Sequence, residues 1–374
     1  MIAKNRSAVP LLDLRAQYVS IREEIRAALD AVLASQQFIL GPQVEALEQE
    51  IARYCGRRFG VGVASGTDAL ILSLRVRGVG PGDEVIVPTF SFIATGGAVH
   101  LLGARPVLVD IQPDTFNIDP NKIEASITPR TKAVIPVHLF GQPADMDPVL
   151  ELAQQHNLRV IEDNAQSLGA TYKGRKTASI GDLGCLSFYP SKNLGGYGDG
   201  GMMLTDSEEV AARLRFLRNH GFVKTYVCQE QGWNSRLDEI QAAILLVELR
   251  HLNHWKAQRQ VIAPRYNELF SRMPRVKIPK VAGWAEHVYH QYTVGVPNRD
   301  RIQQHLSKCG IGSAVYYPVP MHLQPIFASL GYRRGNLPES ERACEEVLSL
   351  RMFPELTAEQ IERVVEAVRA GLPS

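Results

Sequence analysis

No stretch of about 18 apolar residues, the length that crosses a bilayer core, occurs anywhere in the 374-residue chain, so no membrane partner is expected. Cysteine is scarce. Cys55, Cys185, Cys228, Cys309 and Cys344 are odd in number, widely spaced and form no Cys-x-x-Cys, which argues against a zinc ribbon or a disulfide framework and fits a reducing cytoplasm. An excess of either charge is also missing. Lys plus Arg is 41 against 39 Asp plus Glu, a net +2, so nothing attracts nucleic acid or acidic membranes in general. Lys4 and Arg6 are followed by Pro10, Asp13 and Arg15, leaving no apolar core for a secretory signal. The ten histidines include His251/His254 and His287/His290 but no accompanying carboxylate or cysteine cluster, and no metal site is expected. Internal repeats and low-complexity tracts are absent as well.

What is present is an alternation. Tyr18 to Leu33 and Pro42 to Tyr54 read as amphipathic helices. Apolar runs then recur near 60, 85, 107, 134, 160 and 185, separated by helical stretches. That is the pattern of an α/β large domain with a mostly parallel sheet flanked by helices. From Leu237 to about Phe270 a long helix is expected, kinked or restarted at Pro264. Beyond it, Tyr289 to Val296 is strand-like, while Asp300–Cys309, Glu339–Leu350 and Thr357–Leu372 are helical. The expected division is a large domain over 1–250, with an N-terminal arm, and a small α+β domain over 251–374.

The chemistry gathers at three places. Leu158-Arg-Val-Ile161 reads as a buried strand that delivers Asp163 just past its carboxyl end, where open α/β sheets bind ligands. Gly184 to Tyr189 is a second strand, after which Pro190 forces a turn that carries Lys192. Pyridoxal phosphate needs a lysine for its Schiff base and a carboxylate to keep its ring nitrogen protonated. Lys192 and Asp163 suit those roles. Its phosphate needs donors, and Ser65-Gly66-Thr67 opens a helix after a short strand, where free backbone N–H groups bind phosphate. Ser187 would add a hydroxyl from the neighbouring strand. Gly196 to Gly201 also spells G-x-G-x-x-G, but a loop precedes it and a strand-like Met202-Met-Leu-Thr205 follows, the reverse of a dinucleotide fingerprint.

In this order and spacing the motifs resemble the DegT/DnrJ/EryC1/StrS sugar aminotransferases, of the aspartate aminotransferase fold (fold type I). The likeness runs from Pro10-Leu-Leu-Asp-Leu14 and Phe38-Ile-Leu-Gly-Pro42, through Gly82 to Phe92, to Asn234-Ser-Arg-Leu-Asp-Glu-Ile-Gln241 and Tyr316-Tyr-Pro-Val-Pro-Met-His322. It implies that Lys192 holds pyridoxal phosphate covalently, with pyridoxamine phosphate as the intermediate form. Asp163 would pair with the ring nitrogen, Gln166 would donate to the ring hydroxyl, and Ser65, Gly66, Thr67 and Ser187 would hold the phosphate. Phe92 would stack on the ring, with an ordinary core position as its alternative. Asn234 would reach the phosphate of a partner subunit and Arg236 would lie near the substrate, so a homodimer with shared sites is implied. Arg218 and His220, in Arg-Asn-His-Gly, would lie near the site, as would Tyr317 and His322. Arg213 and Arg215 read as a solvated helix face.

Lys-Asn-Leu-Gly followed by Gly-Asp-Gly-Gly resembles the members that aminate C3 of a nucleotide-diphosphate-linked keto sugar, with L-glutamate as the expected donor. The product would be an amino sugar for surface polysaccharide, lipopolysaccharide or secondary-metabolite glycosylation. Such members often have His where Tyr316 stands, which leaves the role of Tyr316 open. The alternatives are a C4 enzyme, a dehydratase-like relative, against which Lys192 argues, and a regulator of the same fold.

Overall fold

The computed structural model describes residues 9–373; Lys4 and Arg6, considered above, lie outside the described residues. Helix α1 (Leu14–Ser35) starts where the Asp13 carboxylate accepts the Ala16 N–H at 2.9 Å. The next, α2 (Pro42–Cys55), takes its cap from far away in sequence. Its first free N–H groups, on Gly41, Gln43 and Val44, all donate to the buried carboxylate of Glu239, so the two motifs Leu40-Gly41-Pro42 and Asp238-Glu239 form one joint.

The main sheet takes β1 (Phe59–Val63), β2 (Glu84–Pro88), β3 (Arg105–Val109), β4 (Thr131–Val134) and β5 (Arg159–Asp163) from the first half of the chain. Short strands β6 (Thr171–Tyr172) and β7 (Arg175–Lys176) form a hairpin outside it, and β8 (Leu183–Ser187) and β9 (Gly201–Thr205) complete it. The order is β1-β9-β8-β5-β4-β2-β3, with β9 antiparallel to both neighbours and the remaining pairings parallel. Helices α3 (Gly66–Val76), α4 (Ala94–Leu101), α5 (Met146–Gln155) and α6 (Glu208–Arg218) cover the sheet. Strands buried on both faces explain why these runs are apolar throughout rather than alternating. A hairpin of β10 (Phe222–Lys224) and β11 (Val227–Cys228) leaves Val223, Tyr226 and Val227 exposed.

Helix α7 (Glu239–Phe270) runs through Pro264 as one helix and does not restart there. Pro264 is on the exposed side, where water can take up the carbonyl its ring leaves unbonded. The expected boundary at 250/251 falls inside this helix. Leu245 and Leu252 still pack with α2 and the main sheet, whereas Ile262, Tyr266 and Phe270 belong to a second core. That core is built from β13 (Tyr292–Gly295), which follows the short β12 (Ala285–Glu286), together with α8 (Arg299–Lys308) and α10 (Ala358–Gly371). The helix expected over Glu339–Leu350 is corrected. Helix α9 stops at Glu346 (Pro338–Glu346), and Val347–Leu350 is a fully buried strand, β14, antiparallel to β13. Apolar content alone does not separate a short buried strand from a helical turn; pairing with β13 decides it.

Candidate active site

Strand β5 ends at the centre of the sheet, and its last residue, Asp163, is buried. Its main chain is clamped between Pro136 O and His138 N. Its carboxylate accepts from Thr95 Oγ1 (2.8 Å) and from the Ala165 N–H (3.2 Å). Burial pushes this carboxyl above its ordinary range, against the pull of those donors and of Lys192. A cation set against it would reverse that.

Lys192 faces the same space from the turn after β8. Its N–H donates to Tyr189 O at 2.8 Å, and the Gly196 N–H returns to Phe188 O. The glycines are sterically required here: a Cβ on Gly195 would lie 2.5 Å from Pro190 O, and one on Gly201 would lie 2.4 Å from Ser65 C and O. Burial holds the Lys192 ammonium below its ordinary range, offset by the charge of Asp163.

Ser65 caps α3, its Oγ accepting from the Asp68 N–H at 3.1 Å. Gly66 follows where a Cβ would stand 2.7 Å from Ser187 Cβ. The amide groups of Gly66 and Thr67 and the hydroxyls of Ser65, Thr67 and Ser187 thus line one cradle. Behind it, Ser235 Oγ donates to Asp68 and accepts from Ala64 N–H. Gln166 is pinned by its oxygen, which accepts from Phe140 N–H at 2.7 Å, so its Nε2 points inward and donates to Tyr317 Oη at 3.0 Å. Phe92 is 54% exposed, a poor core residue, and its ring lies 6.0 Å from that of Tyr317.

Asp163, Lys192, the cradle, Gln166, Phe92, Tyr316 and Tyr317 enclose one cavity of about 550 Å³. Its lining combines the start of α3 with the Ser187 hydroxyl, a buried carboxylate, a lysine amine and an exposed aromatic side chain, Phe92. Those are the demands of pyridoxal phosphate, and the residues fit the group.

Other expected residues are not on this cavity. Arg218 is corrected: it is buried on the far side of β1, where Nη1 donates to Glu48 Oε1 (2.5 Å) and Gly62 O (2.7 Å). His322 is corrected likewise, with Nδ1 on Thr89 and Nε2 on Glu341, so both ring nitrogens are used within the chain. His220, Asn234 and Arg236 cluster together, through a bridge between Asn219 and Asn234 and the bond from Arg236 to Asn219 Oδ1 (2.9 Å). They do not line this chain's own cavity. Sequence reasoning passed over Tyr189, His290 and Gln291, which line it, and Thr95, three residues past Phe92, which donates to Asp163 from behind. For Thr95 the one available signal was its place one helical turn past that motif.

The fold is that of the pyridoxal-phosphate-dependent transferases of fold type I, and Lys192 and Asp163 line its cavity. The chain belongs to the DegT/DnrJ/EryC1/StrS aminotransferase family, whose model matches residues 19–369. It is 49% identical to the UDP-N-acetyl-3-dehydro-alpha-D-glucosamine 3-aminotransferase of Acidithiobacillus ferrooxidans, over 98% of each chain. It is 50% identical to a pleiotropic regulatory protein of Geobacillus stearothermophilus, over 96% of this chain and 97% of that one. The solved structure of S. venezuelae DesV in complex with a ketimine intermediate matches with a TM-score of 0.95 at 46% identity, over 97% and 98% of the two chains.

Proposed function

We propose that this protein is a pyridoxal-phosphate-dependent aminotransferase that places an amino group on C3 of a nucleotide-diphosphate-linked 3-keto sugar, with L-glutamate as donor. The observation that carries the reading is the single cavity holding Lys192, Asp163 and the phosphate cradle. The activities for which relatives at 42–49% identity are named, on UDP- and dTDP-linked 3-dehydro, 3-amino or 3-oxo sugars, support the sugar and its position.

When bound, pyridoxal phosphate supplies an electron sink for the carbanion formed at the donor Cα. The chain's own groups do the rest. The N–H groups of Gly66 and Thr67 and the Ser65 and Ser187 hydroxyls anchor the phosphate. Asp163 holds a proton on the ring nitrogen, and Thr95 keeps its carboxylate aimed. Gln166 Nε2 binds the ring hydroxyl. With the cofactor bound, the free Lys192 Nζ would be the base for the donor's Cα proton, a role favoured by burial, which disfavours its charged form. Phe92 covers one face of the ring.

His220, Asn234 and Arg236 then serve the cavity of a second copy, in a homodimer with shared sites. Their exposed or half-exposed positions beside the apolar β10–β11 hairpin support that arrangement. A cytoplasmic location accords with five free cysteines. A purely regulatory role would leave Lys192 and its buried partner without a task.

The test is the visible absorbance of the protein loaded with pyridoxal phosphate, followed on adding L-glutamate, then a 3-keto UDP or dTDP sugar. The expected result is a band that needs Lys192, is bleached by glutamate and returns with the sugar, with NMR placing the amine at C3. A missing band sinks the enzyme reading, and an amine at C4 sinks the regiochemistry.

A further inference from the structure

His290 precedes β13, on the segment that enters the second core, yet its ring reaches the wall of the Lys192 cavity. It also lines a smaller space of about 40 Å³ behind that wall, with Ser191 and Arg259. The ring is buried at 7% exposure. Its Nδ1 lies 3.1 Å from Oδ1 of Asn193, the residue next to Lys192. An amide oxygen only accepts, so Nδ1 carries the ring proton and Nε2 presents a lone pair. No partner takes Nε2 among the described residues. The charged and titratable groups that face the ring are Lys192, Arg259 and His287, and together with burial they keep the imidazole neutral. His287 is neutral too, its Nδ1 accepting the Tyr289 N–H at 2.8 Å. Beside His290, Gln291 lines the same cavity with an Oε1 that is buried and without a partner. The wall behind Lys192 therefore presents two unpartnered acceptors, His290 Nε2 and Gln291 Oε1.

We propose that His290 is a positioning residue for transamination: Nδ1–H to Asn193 ties the Lys192 turn to the second core, and Nε2 accepts a hydrogen bond from the Lys192 amine after the amino donor has displaced it. This rests on the aminotransferase reading above. A freed lysine amine has several rotamers, and one acceptor fixed in a buried wall selects the orientation in which the nitrogen lone pair faces the substrate Cα. It also explains why the two cores meet at this turn, since movement of the second core would be felt directly at Lys192.

The test uses the full chain loaded with pyridoxal phosphate. His290→Asn keeps an N–H toward Asn193 and removes the acceptor; His290→Gln restores an amide oxygen near the Nε2 position; Asn193→Ala cuts the tie. The readouts are the pH midpoint of the cofactor's visible band without donor, the rate of bleaching by L-glutamate, and the isotope effect with glutamate deuterated at Cα. The expected result for His290→Asn is a bound cofactor, bleaching slowed about tenfold or more, and a larger isotope effect because proton transfer has become the slow step. His290→Gln recovers most of the rate, and Asn193→Ala shifts the pH midpoint. Wild-type rate, isotope effect and midpoint in His290→Asn would overturn the proposal and leave the ring as packing. Should His290→Asn not fold, Asn193→Ala carries the same decision through its midpoint and isotope effect. Failure of the wild-type protein to form the band at all would strike the aminotransferase reading instead.

Discussion

The two sides of the sheet at the end of β5 hold adjacent carboxylates with opposite fates. Successive strand residues point to opposite faces, so the side chains of Glu162 and Asp163 are both buried but meet different donors. Glu162 is saturated. It accepts from His138 Nε2 (2.9 Å), Ala178 N–H (2.8 Å), and the N–H groups of Ile180 and Gly181 (2.7 Å each). Burial pushes its carboxyl up, but these donors together bring it below the ordinary range. His138 cannot turn away, because its Nδ1 accepts the Ala144 N–H. Asp163 has only two donors to its carboxylate among the described residues, and burial leaves it above the ordinary range. The lesson is that burial does not mark a functional acid; incomplete satisfaction of a buried acid beside an open cavity does.

Four experiments would break or sharpen that contrast. The largest effect is expected for Glu162→Gln, whose amide NH₂ must oppose N–H donors on one side or the other. We expect a loss of about 3–5 kcal/mol of stability, by analogy with breaking a buried charged network, read by denaturant unfolding. An unchanged unfolding midpoint would mean that the saturated shell is not what holds this face.

Asp163→Asn should do the reverse, folding normally while slowing bleaching by glutamate about 10²–10³-fold, or ~2.7–4 kcal/mol. Loss of stability with retained turnover would reverse the assignments of the two carboxylates.

Thr95→Val removes one of the two donors on Asp163 and should cost about 1 kcal/mol of transition-state stabilisation. Because that donor favours the ionised carboxylate, its loss should move the acidic limb of the rate profile to higher pH. A shift to lower pH would contradict the bond's direction.

The most gradual effect is the pH dependence of stability in the cofactor-free protein. Glu162, lowered in the fold, contributes stability present above its ordinary value of 4.5 and lost as pH falls through its folded value. Asp163, raised in the fold, binds its proton more tightly folded than unfolded. It costs stability progressively as pH rises from 3.8 through its folded value. The stability deficit of Glu162→Gln should therefore shrink in acid, whereas Asp163→Asn should gain on wild type as pH rises. Either change amounts to at most about 1.4 kcal/mol per pH unit crossed, and parallel stability curves for both variants and wild type would refute the difference in their shells.

Much of the site was legible beforehand because its chemistry is carried by residue types with few substitutes. A lysine on a turn after a strand, an aspartate at a strand end and a Ser-Gly-Thr helix start each have a local signature, and together they named a cofactor. The strands were readable for the same reason, since those buried on both faces must be apolar throughout. The misses have a shared cause. Arg218 and His322 sit in suggestive motifs, but the glutamates that occupy them, Glu48 and Glu341, are distant in sequence for Arg218 and carry no sign of pairing for His322. Val347–Leu350 became a strand because β13 had a free edge.

The sequence by itself determined the alternation of strands and helices, the cofactor class, and the lysine and aspartate that the cavity brings together, because those depend on side-chain type and local spacing. Tertiary structure alone decided which charges were already spent, that Gln166 points inward because Phe140 holds its oxygen, and that His290 stands behind Lys192. Each of these is a contact between residues far apart along the chain. No local pattern encodes such a contact, because hydrogen-bond satisfaction is a property of the packed whole.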